Sequence, residues 1–234
     1  MILSDRLKVI ADKVPPGSRV ADIGTDHGFI PVYLVRNNIV SKVIASDISR
    51  GSLEKTINLV KEQGLSNVIE TRLGSGLKVL KAGEVDTVII AGMGGLLIKN
   101  ILEESPDILQ EVKTLILQPM NFQSELRRWL IQNSFTIKDE ELVIDNGRIY
   151  EIMLVEHGEQ EEWNDVELEI SPRLLEKKHR LLEPFILKKI SIMENIISKL
   201  DDNNTENATK KRKHCEEKLK KYKEVYQWTV QWKE

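Results

Sequence analysis

The sequence predicts an α/β protein, a doubly wound, mainly parallel sheet followed by a helical hairpin. Three observations predict it. Short apolar runs alternate with segments of helical periodicity through residue 133, the pattern of strand–helix–strand crossovers. Asn146-Gly147 then sits between two β-like stretches, a strong hairpin signal. Beyond an acidic stretch at 156–170, apolar residues recur only at helical spacing and the charge turns basic.

The elements follow in order. Residues 2–13 read as a helix with Leu3, Leu7 and Ile10 on one face, Ser4 or Asp5 as cap and Pro15-Pro16-Gly17 as stop. A strand at 18–23 enters a turn containing Gly24 and Gly28, and a helix follows at 29–38 with Pro31 in its first turn. Val43 to Asp47 is a second strand ending in an acid. Leu53, Ile57 and Val60 mark a helix over 50–64 that Gly64 terminates. Strands are expected at 67–72, 86–91 and 113–117, with helices at 95–104 and 122–133. Stretches 135–144 and 148–156 form the hairpin. Continuous apolar strands imply helices on both sheet faces, and their crossovers are right-handed. A hairpin after five parallel units is the ending of a class I methyltransferase sheet, where an antiparallel last strand inserts between its neighbours.

The C-terminal part reads as two helical blocks. The first, 171–200, has Leu175, His179, Leu182, Ile186, Met193 and Ile197 near spacings of three and four. The second, 206–232, has Cys215, Leu219, Tyr222, Tyr226 and Thr229, closed by Trp228 and Trp232. Asp201-Asp202-Asn203-Asn204 is the expected turn of an antiparallel hairpin, a coiled coil. Pro184 either kinks the first helix or marks a later start. The domains are thus expected at 1–158 and 159–234.

Composition narrows the class. With 41% hydrophobic and 30% charged residues, the 234-residue chain has the make-up of a globular protein. No apolar run approaches the roughly 18 residues that span a bilayer. Met1 to Arg6 lacks a signal-peptide pattern. One cysteine, Cys215, excludes an internal disulfide and a Cys-rich metal centre. A cytoplasmic protein with no membrane partner and no metal is expected. Residues 1–155 carry 18 Lys/Arg against 20 Asp/Glu, residues 156–170 carry 7 acids and no bases, and residues 171–234 carry 16 Lys/Arg against 10 Asp/Glu. The basic appendage suits a polyanionic partner; a solvated, Lys-rich helical face gives the same count.

The chemistry gathers at the strand ends, where open α/β sheets bind ligands. Asp22 to Gly28 follows the first strand, Asp47 and Ile48 the second, Gly74-Ser75-Gly76 the third, and Ala91-Gly92-Met93-Gly94-Gly95 the fourth. Asp47 suits two ribose hydroxyls, which a carboxylate accepts together. Gly24 to Gly28 differs from the dinucleotide fingerprint, because Asp22 and Asp26 flank it. Two acids repel a pyrophosphate and favour a cationic ligand, which points to S-adenosylmethionine over a dinucleotide. Asp26 also suits the cap of the following helix, His27 a turn residue, and Gly92 to Gly95 tight packing.

Asp22-Ile23-Gly24-Thr25-Asp26-His27, Ile90-Ala91-Gly92-Met93-Gly94-Gly95 and Leu117-Gln118-Pro119 resemble the bacterial tRNA adenine(22)-N1-methyltransferases. So do Leu3-Ser4-Asp5-Arg6-Leu7, Gly74-Ser75-Gly76-Leu77, Leu126-Arg127-Arg128-Trp129-Leu130 and Tyr150-Glu151-Ile152. The resemblance implies a methyltransferase domain with a helical C-terminal domain, acting on tRNA. It implies an S-adenosylmethionine site formed by Asp22, Gly24, His27, Gly28, Asp47, Ser75 and Gly76. Ile48, Gly74, Ala91, Gly92 and Met93 on the same loops join that set, and Asp26 matches the candidate catalytic acid. The chain departs from the family pattern at Thr25, usually Ser; at Gly28-Phe29, usually Ala-Tyr; and at Ser75, where an acid or Asn is common.

On this reading N1 of an adenine attacks directly and Asp26 accepts a proton from the exocyclic amine or holds it. The base must be flipped into the site, with Phe122, Tyr150 or Phe29 as stacking partner. Lys210-Lys211-Arg212-Lys213 and the lysines of 218–223 would hold the backbone; a coiled-coil hairpin can be self-contained, giving a monomer, or can dimerise. A methyltransferase for a small molecule or protein, and a non-catalytic RNA-binding module of the same fold, are the alternative readings.

Overall fold

The computed structural model describes residues 2–201 and 205–231. Most of the expected 201–204 turn, and Trp232, lie outside them. The chain divides into two compact units, Met1–Glu162 and Trp163–Glu234.

The first unit opens with α1, Asp5–Asp12. It starts later than the apolar periodicity suggests because Ser4 is extended and its hydroxyl accepts the Leu7 N–H. Ser4 is therefore the cap, and Leu3 lies outside the helix yet buried. Seven strands follow: β1 Val20–Ile23, β2 Val43–Asp47, β3 Ile69–Leu73, β4 Thr87–Met93, β5 Thr114–Pro119, β6 Phe135–Asp145 and β7 Arg148–His157. The helices between them are α2 Phe29–Arg36, α3 Arg50–Glu62, α4 Gly95–Glu103, α5 Pro106–Leu109 and α6 Gln123–Gln132. A single 3-10 turn covers Gly76–Val79.

The sheet order is β3-β2-β1-β4-β5-β7-β6. β1 to β5 are parallel, and β7 is antiparallel to both neighbours. This is the ending the sequence predicts, with the last strand inserted. Two details differ from expectation. β3 begins at Ile69, because Leu65 to Val68 form a turn closed by Val68 N–H to Leu65 O at 3.0 Å. α5 is too short for a periodic signal; Pro106 starts it and Leu109 buries it.

Strands β1, β4 and β5 are buried along most of their length. α1 and α2 cover one region of the sheet, with Ile10, Ala11, Leu34, Ile89 and Ile116 in one apolar cluster. On α6 the guanidinium of Arg127 is fully buried. It donates to Glu140 of β6 at 2.7 and 3.0 Å and to Glu151 of β7 at 2.5 Å. A charge without water must be matched by charges, so the triad fixes how α6 meets the hairpin.

Gly95, the first residue of α4, is a point of close approach. A Cβ there would lie 2.4 Å from Phe122 O and 2.7 Å from Asn121 O. Both obstacles are main-chain atoms and cannot swing aside. Gly95→Ala is expected to cost about 2–3 kcal/mol, measured as a lowered midpoint in thermal or urea unfolding.

In the second unit the expected 171–200 helix is interrupted. α7 is Pro172–Glu176 and α8 is Leu182–Asp201. Lys178 takes a positive φ of 49°, and His179 Nδ1 accepts the Leu181 N–H at 3.1 Å. Leu175 and His179 therefore do not share a helix with Ile186. Pro184 lies in the first turn of α8, where its missing N–H costs nothing. α9 is Glu206–Gln231, with Ala208, Cys215, Tyr222 and Thr229 buried every seventh residue. Glu169 accepts from Lys189 of α8 at 3.0 Å and Lys218 of α9 at 2.7 Å. Although burial alone would raise its pKa, these two ammonium groups hold its carboxyl down near 2.

Candidate active site

The site begins where β1 ends. Gly24 has φ +78°, and a Cβ there would stand 2.1 Å from Met93 Cε. Only glycine lets the β1 turn and the Met93 side chain occupy this corner. The Gly24 and Thr25 N–H groups donate to Ser46 O at 2.8 and 2.9 Å, which ties the turn to β2. Gly28 has φ +73°, and a Cβ there would lie 2.7 Å from Thr56 Cγ2 of α3; the Thr56 hydroxyl donates to Asp26 O at 3.2 Å. The turn is thus held by β2 and α3 as well as by its own Gly28 N–H to Thr25 O bond at 3.0 Å.

Gly28 is the N-cap of α2, and no side chain caps that helix. The helix-cap reading of Asp26 is therefore corrected. Asp26 has a positive φ of 43°, and its carboxylate meets His27 Nδ1 at 2.7 Å and Lys55 Nζ at 3.3 Å. Its side chain is 56% exposed. His27 stacks in turn on Phe29, ring centroids 5.2 Å apart.

The two acids of the turn titrate in opposite directions. Asp22 is buried, and burial pushes its carboxyl up to about 6, with the Asp47 carboxylate acting the same way. For Asp26, partial burial raises the pKa, but the Lys55 and His27 contacts outweigh it and hold the carboxyl below its ordinary value. Carboxylates pushed apart in this way take different roles. Asp22 is a desolvated carboxyl; Asp26 is an exposed, ionised one.

For Asp22, a folded-state pKa of about 6 above the ordinary 3.8 means that the folded protein binds a proton more tightly than the unfolded chain. Stability conferred by the protonated form is full below pH 3.8 and is lost as pH rises through about 6. Ionised Asp22 thus costs the ligand-free protein roughly 3 kcal/mol at neutral pH. Asp22→Asn is expected to raise the melting temperature at pH 7.5, with the gain shrinking toward pH 4. The same variant should lose binding of a cationic ligand by calorimetry.

Arg6, Asp22, Gly24, Asp26, His27, Ala91 and Gly92 line one cavity of about 330 Å³. β4 bulges between Ala91 and Met93, and Gly92 takes φ +76° beside the opening. The remaining expected residues lie along the same sheet edge, outside that cavity. Asp47 ends β2 and accepts the Ser49 N–H at 2.6 Å. Ile48 is 72% exposed beside it, an apolar surface next to an acid. Gly74 N–H donates to Asp47 O at 3.0 Å, Ser75 is exposed before the 3-10 turn, and Gly76 packs on Ile101.

Phe122 is half exposed in a left-handed conformation at the start of α6, near exposed Met120. Tyr150 has one ring face taken by Arg6, 5.4 Å from the centroid. Lys210, Lys211, Arg212 and Lys213 are exposed on α9 of the second unit. Lys210 pairs with Glu206 at 2.7 Å and Arg212 with Glu216 at 2.8 Å. Among the described residues no His, Cys, Asp and Glu side chains gather as a metal site, and no helix is long and apolar enough to cross a membrane.

Sequence reasoning missed Arg6 and Lys55 as site residues. The opening motif Leu3 to Leu7 was a signal for Arg6. Nothing local signals Lys55, which reaches Asp26 across 29 residues of sequence.

Residues 20–224 match the family model described as tRNA (adenine(22)-N(1))-methyltransferase. The tRNA (adenine(22)-N(1))-methyltransferase of Bacillus subtilis (strain 168) is 33% identical over 229 residues, 95% of this chain and 96% of that protein. The crystal structure of the B. subtilis m1A22 tRNA methyltransferase matches at TM-score 0.89 with 32% identity, covering 96% of this chain and 99% of that one. A Streptococcus pneumoniae putative tRNA (m1A22) methyltransferase in complex with S-adenosyl-L-methionine matches at TM-score 0.85 with 31% identity, covering 96% and 100%.

Proposed function

We propose a division of labour in this site on one premise: the chain belongs to the tRNA (adenine(22)-N(1))-methyltransferase family. Its function is S-adenosylmethionine-dependent methylation of N1 of an adenine in tRNA. The observation that carries the division of labour is the pair of acids in one cavity, one desolvated and one ionised.

When bound, S-adenosylmethionine supplies a methyl group on a positively charged sulfur. Asp22 faces that positive charge, Asp47 accepts from the ribose hydroxyls, and Gly24 and Gly28 keep the turn close. Ile48, Gly74, Ser75 and Gly76 border the adenine end; Ala91, Gly92, Met93 and His27 border the methionine end. The target N1 has an in-plane lone pair and needs no base to attack. Its methylation makes the exocyclic amine acidic. Lys55 and His27 keep Asp26 ionised, so it accepts a hydrogen bond from that amine and stabilises the positive charge there as the proton leaves. Positioning supplies the remainder of the acceleration.

Phe122 is the stacking partner this geometry favours, because its ring is exposed whereas Arg6 covers one face of Tyr150. Lys210, Lys211, Arg212 and Lys213 hold the tRNA backbone. The protein works as a monomer in the cytoplasm.

The test is mass spectrometry of nucleosides from unmodified tRNA incubated with the protein and S-adenosylmethionine. The expected product is 1-methyladenosine at a single position. Methylation of another nucleoside, or none, would refute the assignment.

A further inference from the structure

Arg6 stands in the active-site cavity without a role in the scheme above. It comes from α1, ahead of the whole sheet, and yet lines the same cavity as Asp22, Asp26 and Gly92. Its side chain is 23% exposed and is held from three sides. Nη1 donates to Gln118 Oε1 at 2.6 Å. Gln118 is fully buried at the end of β5, and its amide nitrogen donates to Pro119 O at 3.0 Å. The amide is therefore oriented to present its oxygen to Arg6. The guanidinium lies over the Tyr150 ring, and Asp145 stands 3.8 Å from Nε, beyond hydrogen-bond distance.

A guanidinium has five N–H donors. Among the described residues it spends one on a hydrogen bond, that to Gln118. Next to it the chain leaves a gap: Gly92 is exposed, and a Cβ there would approach Arg6 Nη1 at 3.8 Å. A prepositioned planar fork suits a tetrahedral oxyanion, which it grips through two parallel hydrogen bonds; Asp22 and Asp26 disfavour an anion inside the cavity, so the phosphate would meet Arg6 at the rim, beside exposed Gly92. A positive charge at this edge does nothing for attack by a neutral ring nitrogen. It does much for the anionic backbone that a flipped base leaves at the mouth of its pocket.

We propose that Arg6 grips a phosphate flanking the flipped adenine, and so is a positioning residue that sets how deep the base enters. The proposal rests on the tRNA reading above. Its Gln118 and Tyr150 contacts keep the side chain extended before tRNA arrives, so little rotamer freedom is lost on binding.

The experiment compares full-length wild type, Arg6→Gln and Arg6→Lys on unmodified tRNA. Steady-state kinetics are measured over a salt series, with filter binding of tRNA and calorimetry of S-adenosylmethionine. Arg6→Gln should raise the tRNA KM and dissociation constant about tenfold or more. The slope of log affinity against log salt should become shallower by about 1. Arg6 lines the same cavity as the cofactor residues, but on this proposal its free donors meet the tRNA phosphate, so cofactor affinity should stay within about twofold. Arg6→Lys keeps a donor for Gln118 and the charge; it should restore the salt slope but only part of the affinity, because it lacks the fork. An unchanged tRNA KM and salt slope would overturn the proposal. So would a fall in kcat alone, or loss of cofactor binding in folded Arg6→Lys. Failure of the wild type to methylate tRNA would refute the functional reading instead, and the filter-binding arm still judges Arg6.

Discussion

Asp26→Asn is expected to lower single-turnover methylation of tRNA by about a hundredfold or more, with S-adenosylmethionine affinity nearly unchanged. Asparagine is the right replacement. Asp26 has a positive φ of 43°, which Asn tolerates and Ala does not. Asn also keeps a hydrogen bond within reach of Lys55 while removing the charge. Because no side chain caps α2, the melting temperature should hardly move, which separates loss of chemistry from loss of fold. The pH dependence follows from the depressed carboxyl. The ionised form is present throughout neutral pH and is lost only as pH falls through a value below the ordinary 3.8. The wild-type rate should therefore show no acid limb from Asp26 between about pH 5 and 8. Full single-turnover activity in Asp26→Asn would remove the residue from the mechanism.

The quadruple replacement of Lys210, Lys211, Arg212 and Lys213 by Gln is expected to have the second large effect. The tRNA KM should rise by one to two orders of magnitude, and the salt slope should fall by about 3. The cofactor dissociation constant should not change. The variant should fold, because the cluster is exposed and α9 buries a different set, Ala208, Cys215, Tyr222 and Thr229. The pairs of Lys210 with Glu206 and Arg212 with Glu216 are solvent-exposed and local, each worth only about 0.3–0.5 kcal/mol. Equal tRNA affinity in mutant and wild type would show that the second unit does not hold tRNA through this cluster.

What the sequence made legible was whatever had a local cause. The strands are continuous apolar runs, the hairpin has Asn146-Gly147, and the turn after β1 has glycines at 24 and 28. Those signals act within a few residues. The missing pieces have non-local causes. Arg127 sits in a helical stretch that reads as surface, and only the approach of Glu140 and Glu151 makes its burial tolerable. Arg6 and Gln118 are 112 residues apart. The cap reading of Asp26 was sound on residue type, but the cap depends on backbone angles, and Gly28 takes that position. The break after α7 is set by Lys178 in a left-handed conformation, for which Lys gives no warning.

The inserted position of β7 has a consequence for how the protein is made. The chain leaves the ribosome in the order β5, α6, β6, β7, but in the sheet β7 lies between β5 and β6. When β6 emerges it has no partner, and β5 still presents an unpaired edge. Arg127, already on its helix, has Glu140 available once β6 emerges, but β6 joins the sheet only through β7, which also brings Glu151. The sheet can therefore close only after His157 has been synthesised, and it closes at once, edge and ion triad together. Until then the nascent chain carries an open strand edge and an unmatched charge, the state most exposed to aggregation.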